Sequence, residues 1–382
     1  MKAKISYSEL VSVLGYVNTI LSDKTVDDKM KNVIFLVEKD EVTVVGYSPI
    51  VFARTNMSDI EVSDVEDNWD FQVKSSDLNK ILASFTNLYK TKVDYIELEK
   101  IETNSKIIVT IHEEALKEED DRLSQTSRFL LDNIPIMESV KKEIYMDFPE
   151  ETDIVPSEEL LIYINSLYPL MSNDSASSLV SKLNFSEEYV FVNASYINSF
   201  MKNKLTDSFK GLTLGYSSIA FLKKLCEGVD GITCKKIERY LCVESGVTEA
   251  FIKYQKVKVK PDTYVKRFSN ENGIVLDRLY LKDVLKRMLV ASQDGVAKVT
   301  DLGLEVSNNN FSQILPLEKV KGDVENLSFK LSVPVFMKTI LGDDNIFPDK
   351  VFLYFVKTGS NGYLLFVRDA TGGWFSTIQV RV

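Results

Sequence analysis

The chain has 382 residues, 45% of them hydrophobic and 10% aromatic, enough to pack about two to four domains, and its 16 Gly and 9 Pro form no low-complexity tract. Its 56 acidic and 46 basic residues give a net charge of −10, which excludes a nonspecific nucleic-acid coat and leaves room only for a local basic surface. The amino terminus lacks the unbroken apolar core of a signal peptide, and no window approaches the roughly 18 apolar residues of a membrane span, so a soluble, cytoplasmic chain without membrane contact is expected.

In chain order, one module recurs six times: a short amphipathic helix followed by two or three strands. The first helix, 8–22, lines up Leu10, Val13, Leu14, Val17, Ile20 and Leu21 on one side, with Ser8, Ser12, Gly15 and Thr19 on the other. Strands follow at 33–37, 42–45 and 50–55. The second helix, 76–90, turns Leu78, Ile81, Leu82, Phe85 and Leu88 inward before strands at 93–98 and 106–111. A third, 157–171, opens on the N-cap residue Ser157 with Glu158 and Glu159 in the first turn, and precedes strands at 179–185 and 189–193.

The fourth helix, 217–227, carries Ile219, Leu222 and Leu225 inward and leads to strands near 232–236, 239–244 and 247–254. In the fifth, 281–292, Leu281, Val284, Leu285, Met288 and Leu289 oppose Lys282, Asp283, Lys286 and Arg287. The sixth, 333–341, precedes strands at 350–356, 363–368 and 374–382, the last with Ile378, Val380 and Val382 on one face. Paired modules give an α+β fold of three repeated domains, 1–140, 141–265 and 266–382, each with two helices and antiparallel sheets.

Catalytic signals are sparse. The single histidine, His112, reads as a solvated residue near a strand end, without a nucleophile motif beside it. Cys226, Cys234 and Cys242 are eight apart, lack the paired spacing of a zinc site, and read as free thiols. The acidic run from Glu113 to Asp121 has no Gly-punctuated calcium-loop pattern and reads as a solvated hairpin tip. No phosphate-binding glycine loop or dinucleotide fingerprint occurs. No cofactor, metal or catalytic residue is expected.

Charge is distributed unevenly. On the six helices basic residues outnumber acidic ones by eight to six, while the rest of the chain is strongly acidic. Helices lining a hole filled with DNA would need this asymmetry, and ordinary solvated helix faces would also produce it. From charge alone the two readings stand level.

Helix and sheet alternating three times over resembles the bacterial DNA polymerase III beta sliding clamp, and short segments carry the likeness further. Leu304-Glu305-Val306-Ser307-Asn308-Asn309-Asn310 is similar to the family's L-x-L-S-S-N-N strand end, and Ser127-Arg128-Phe129-Leu130-Leu131-Asp132-Asn133-Ile134-Pro135 to its S-R-F-x-L-x-T-L-P segment. The chain finishes on Ile378-Gln379-Val380-Arg381-Val382, where the family has a Met-Pro-Met-Arg-Leu type of tail. It departs from the family at 24–30 and at 193–198, a divergence that a phage or mobile-element clamp would fit.

The resemblance implies a processivity factor without catalysis of its own, a head-to-tail homodimeric ring around double-stranded DNA. Its partners would be a DNA polymerase and a clamp loader, held through short linear peptides. It places DNA contacts at Lys24, Lys80, Lys223, Lys224, Lys282, Lys286, Arg287 and Lys338, and a dimer contact of Phe129 with Leu289 and Val290. A partner-peptide cleft would be built by Val180, Tyr196, Pro261, Val265, Ile378, Val380, Arg381 and Val382. For Leu289, and for Ile378 and Val380, packing within the chain's own core is the competing reading. A β-rich viral assembly protein and a clamp mimic that caps a host clamp are the alternatives, with a metabolic enzyme a distant fourth.

Overall fold

The computed structural model describes residues 2–21, 31–63, 69–86, 88, 91–101, 105–116, 124–171, 182–193, 197–258, 261, 271–340, 349–358, 362–369 and 374–381. Two compact units emerge: Met1–Ser157 with Ala220–Tyr254, and Glu158–Ile219 with Gln255–Val382. The middle third expected at 141–265 is therefore shared between them.

The first unit opens with β1 (Lys2–Ser6), α1 (Tyr7–Leu21), β2 (Asn32–Val37), β3 (Val42–Tyr47), β4 (Val51–Met57), β5 (Ile60–Ser63) and β6 (Trp69–Lys74). It continues through α2 (Ser75–Ala83), β7 (Thr91–Ile101), β8 (Lys106–Ala115), β9 (Gln125–Asp132), α3 (Glu138–Ile144) and β10 (Asp153–Pro156). After α4 (Ser157–Leu167), the second unit has β11 (Leu183–Phe185), β12 (Tyr189–Asn193), β13 (Ile197–Lys202) and β14 (Leu212–Leu214). Helix α5 (Tyr216–Cys226) leads back to the first unit, which gains β15 (Gly231–Lys236), β16 (Tyr240–Ser245) and β17 (Thr248–Lys253). The second unit then resumes with β18 (Gln255–Lys256), β19 (Gly273–Asp277), α6 (Arg278–Ala291), β20 (Asp294–Thr300), β21 (Gly303–Asn308) and β22 (Phe311–Leu315). Its last elements are β23 (Lys319–Lys321), β24 (Ser328–Ser332), α7 (Val333–Ile340), β25 (Lys350–Lys357), β26 (Gly362–Asp369) and β27 (Trp374–Arg381).

Among the described residues all the pairing is antiparallel. The first unit holds a five-stranded sheet ordered β5-β1-β7-β8-β9 and an eight-stranded one ordered β10-β15-β16-β17-β4-β3-β2-β6. The second holds a ten-stranded sheet, β18-β14-β11-β12-β13-β27-β26-β25-β19-β23, and a four-stranded one, β22-β21-β20-β24. The sixfold module is visible here as six three-stranded meanders: β2-β3-β4, β7-β8-β9, β11-β12-β13, β15-β16-β17, β20-β21-β22 and β25-β26-β27. In four of them the third strand pairs with the third strand of another meander. β4 joins β17 through Thr55 opposite Thr248, and β13 joins β27 through Ser199 opposite Ser376. The remaining two third strands, β9 and β22, lie at sheet edges.

In the first unit, one core gathers Leu10, Val13, Leu14, Val17 and Leu21 of α1, Leu78 and Leu82 of α2, and the helix-facing residues of both sheets. Each buried side chain of this kind contributes about 1.5–3 kcal/mol. Gly46 lets α1 approach β3, since a Cβ there would lie 3.0 Å from the Val17 side chain. The unbroken apolar run of β2 has a tertiary cause. Val33, Phe35 and Val37 face the helices, while Ile34 and Leu36 pack under α3, a helix the apolar periodicity does not anticipate.

Three boundaries differ from expectation. Helix α2 ends at Ala83, short of the expected bound at 90. Helix α4 stops at Leu167 and gives way to a 3-10 turn at Tyr168–Leu170, because Pro169 has no amide hydrogen to donate four residues back and its ring crowds that carbonyl. The expected strand at 179–185 is described only as Leu183–Phe185.

Candidate functional site

The basic side chains lie opposite the buried stripes of their helices. Lys80 is exposed on α2, whose buried side is Ser75, Leu78 and Leu82. Lys223 and Lys224 are half-buried on α5; the Lys224 ammonium stands 3.0 Å from Glu227 and 5.9 Å from the centre of the Tyr16 ring. On α6, Lys282 is half-buried, and Lys286 and Arg287 are exposed on the side away from Leu281, Val284, Leu285 and Met288. Lys286 reaches Asp283 at 3.7 Å, and Arg287 donates to Gln313 Oε1 at 3.2 Å. Two of these cations therefore share their charge with an acid close by in the chain. Lys24 and the side chain of Lys338 lie outside the described residues.

The residues expected at an interface fall at the two open edges. Strand β9 presents Leu130, 66% exposed, while Phe129 turns the other way and packs edge-on against Phe85 with ring centres 6.0 Å apart. Near β22, Leu289 is 40% and Val290 90% exposed, beside exposed Val296 and Ile314. The Leu289 core reading is thus corrected: α6 closes its buried stripe at Met288 and leaves Leu289 outside. Strand β22, Phe311–Leu315, carries no charged residue, whereas every other sheet-edge strand among those described carries at least one. Sequence reasoning missed Phe311 and Ile314; the charge-free alternation of β22 was the available signal.

Of the expected peptide cleft, Ile378 and Val380 are buried on β27 and line a cavity of about 890 Å³ in the second unit. Val296, Leu331, Val335 and Phe336 supply its other apolar walls, and Ser307, Asn308 and Lys330 are among its polar ones. The volume suits several side chains of a peptide. Pro261 is buried but does not line it, and Val180, Tyr196, Val265, Val382 and the side chain of Arg381 lie outside the described residues. The sequence reasoning did not identify Lys330, Val335 and Phe336, because strand and helix periodicity does not show which surfaces enclose a cavity.

His112 corrects one expectation. It is half-buried on β8 rather than solvated, with Nδ1 3.3 Å from Thr126 Oγ1 and Nε2 3.6 Å from Glu97. The three cysteines are buried, and burial raises the Cys226 thiol to about 11 and the Cys242 thiol to about 12, so both stay protonated. Among the described residues, no His, Cys, Asp or Glu cluster is placed to hold a metal, and no helix is long and apolar enough to cross a membrane.

Among the described residues the geometry defines an α+β protein of six meanders, four of them welded third strand to third strand and the other two ending on an edge strand. No protein-family model matches the sequence, and neither does any curated protein sequence. Solved structures do match. DNA polymerase III subunit beta from Borrelia burgdorferi superposes with a TM-score of 0.77 at 14% identity, covering 100% of this chain and 98% of that one. The DNA polymerase sliding clamp from Bacillus subtilis gives 0.77 at 12% identity, covering 100% and 99%. The sliding clamp from Caulobacter crescentus gives 0.76 at 14%, covering the whole of both chains. The chain has the fold of the DNA polymerase III beta sliding clamp over its full length, which bears out the resemblance read from the sequence.

Proposed function

We propose that the chain is a sliding clamp: a processivity factor that closes with a second copy of itself around duplex DNA and tethers a polymerase, without chemistry of its own. The observation that carries this reading is the pair of unmatched third strands. Four of six meanders already use their third strand as a weld, so β9 of one copy and β22 of another complete the same pattern, head to tail. Edge strands that avoid pairing are short or charged, and β22 is neither blocked by proline nor charged. Pleat alternation then puts outward Leu130 opposite Ser312 or Ile314, and Phe129 on the side of Phe311 and Gln313.

In this reading the chain comprises three domains of two meanders each, near 1–140, 141–265 and 266–382. The basic faces of α2, α5 and α6 meet phosphates without reading bases, so the ring slides. The cavity under Ile378 and Val380 takes an apolar anchor of a polymerase or loader peptide, and weak binding suffices because encirclement keeps the partner at high effective concentration. Loading belongs to a separate ATP-hydrolysing complex.

Retention on DNA tests the proposal. The protein should stay on nicked circular DNA when assembled there by a loader and slide off once the circle is cut. A strict monomer at micromolar concentration, with no topology-dependent retention, overturns it. A viral assembly protein would self-associate without distinguishing circular from linear DNA, and a clamp mimic would bind a host clamp and remain off DNA.

A further inference from the structure

The segment between β9 and β10 runs across the face of the eight-stranded sheet opposite α1 and α2, meeting its strands nearly in their spatial order. At β6, the Ile134 amide donates to Gln72 O at 2.8 Å and Tyr145 Oη donates to Asp70 at 3.0 Å. Val140 and Ile144 then pack on Ile34 and Leu36 of β2 and Val45 of β3. Arg54 of β4 donates to Ile144 O at 3.3 Å and pairs with Glu249 of β17. Beyond the weld, Met146 and Phe148 cover Phe251 of β17 and Cys242 of β16.

At the middle of this path stands one carboxylate. Glu143 Oε1 accepts from Lys253 Nζ of β17 at 2.9 Å and from Tyr240 Oη of β16 at 3.0 Å, and Tyr47 of β3 interacts electrostatically with the same carboxyl. Its hydrogen-bond partners lie on the β17 side of the β4–β17 weld and Tyr47 on the β4 side. Burial pushes the Glu143 carboxyl up, but Lys253, Tyr47 and Tyr240 outweigh it and hold the pKa below 4.5. Burial, then the neighbouring Glu143 carboxylate, raises Tyr47 to about 12.

The geometry points to α3 as a latch, with Glu143 the positioning residue that keeps the β4–β17 weld shut. Thr55 and Thr248, 3.0 Å apart, and the stacked Phe52 and Phe251, with ring centres 4.5 Å apart, form the weld itself; the connector ties down strands on either side of it. The functional consequence rests on the sliding-clamp reading: strain applied to open a ring is directed away from this weld. The latch itself requires only the contacts within the first unit.

Amide hydrogen exchange on the full chain tests it, comparing wild type with Glu143→Gln and Glu143→Ala. Losing hydrogen bonds to a charged, partly buried group should speed exchange in β4 and β17 by roughly tenfold or more, leaving β2–β3 and the β13–β27 weld unchanged. Unaltered exchange at β4 and β17 in both variants overturns the latch, as does an equal acceleration in β2–β3, which marks general destabilisation. If Glu143→Ala fails to fold, Lys253→Met removes one donor and keeps the aliphatic stem. Sedimentation of the same variants separates the two proposals: a monomeric wild type with a latched weld would refute the ring and leave the latch intact.

Discussion

The two welds inside the chain and the two open third strands are built from the same element and finished differently. Each weld contains a cross-strand pair of buried hydroxyls, Thr55 with Thr248 at 3.0 Å and Ser199 with Ser376 at 2.7 Å, each satisfying the other. At the open edges, β9 and β22 show exposed Leu130 and Ile314 instead, and Val290 beside β22 is 90% exposed. An edge that stays open in water must tolerate unpaired backbone groups and apolar side chains, so its composition shows whether it is blunted or awaits a partner. The basic strand β23, with Lys319 and Lys321, is blunted; β22 is not.

The largest effect should come from charging the open edges. Leu130→Lys or Ile314→Lys should weaken self-association by roughly a hundredfold or more by placing an ammonium in an apolar contact, with an unchanged thermal transition for the monomer. Sedimentation equilibrium checks this, and an unshifted dimer for both variants would take β9 and β22 out of the interface. At the intramolecular welds the same kind of change should act on stability. Ser199→Ala strands the Ser376 hydroxyl and should cost about 1–3 kcal/mol in urea unfolding, whereas the Ser199→Ala/Ser376→Ala double variant should cost less than twice that. Strict additivity would show that the two hydroxyls do not depend on each other.

DNA binding should respond more gently. Replacing Lys282 and Lys286 by Glu should lower the slope of log affinity against log salt by about 0.9 for each phosphate that is no longer neutralised. A slope identical to wild type would mean that the exposed face of α6 does not meet the duplex. The smallest effect is the pH dependence of the latch. Because the Glu143 carboxyl is held below its ordinary 4.5, its contribution is fully present above that value and falls away as the pH drops through the depressed pKa. Exchange at β4, corrected for its intrinsic rate, should therefore rise on acidification in wild type and stay flatter in Glu143→Gln; parallel profiles would assign the acid sensitivity to another group.

Much of the architecture is legible in the order of residues. Helical spacing in 8–22 and 281–292 and alternation in 374–382 are local patterns, set by which residues must leave water together, and they located α1, α6 and β27 to within a few residues. Helix α3 escaped because it is seven residues long with only Val140 and Ile144 buried, too little periodicity to register. The candidate site was less legible. Lysine positions on helices follow from the buried stripe, so the exposure of Lys80, Lys286 and Arg287 was predictable. Lys224 with Glu227 and Lys286 with Asp283 are also legible as neighbours at helical spacing.

By itself, then, the order of residues determined the elements, their sixfold recurrence and the faces they bury, because hydrophobic periodicity acts over one or two turns of chain. Only the tertiary structure decided which third strands meet, since β4 and β17 are joined by hydrogen bonds between backbone groups that every residue carries alike, with Thr55 and Thr248 193 positions apart. It also decided that β9 and β22 lie at sheet edges among the described strands, and that Ile378 and Val380, inner residues of an ordinary strand, wall a cavity. Such long-range choices depend on the packing of whole sheets, and no local pattern in the sequence encodes them.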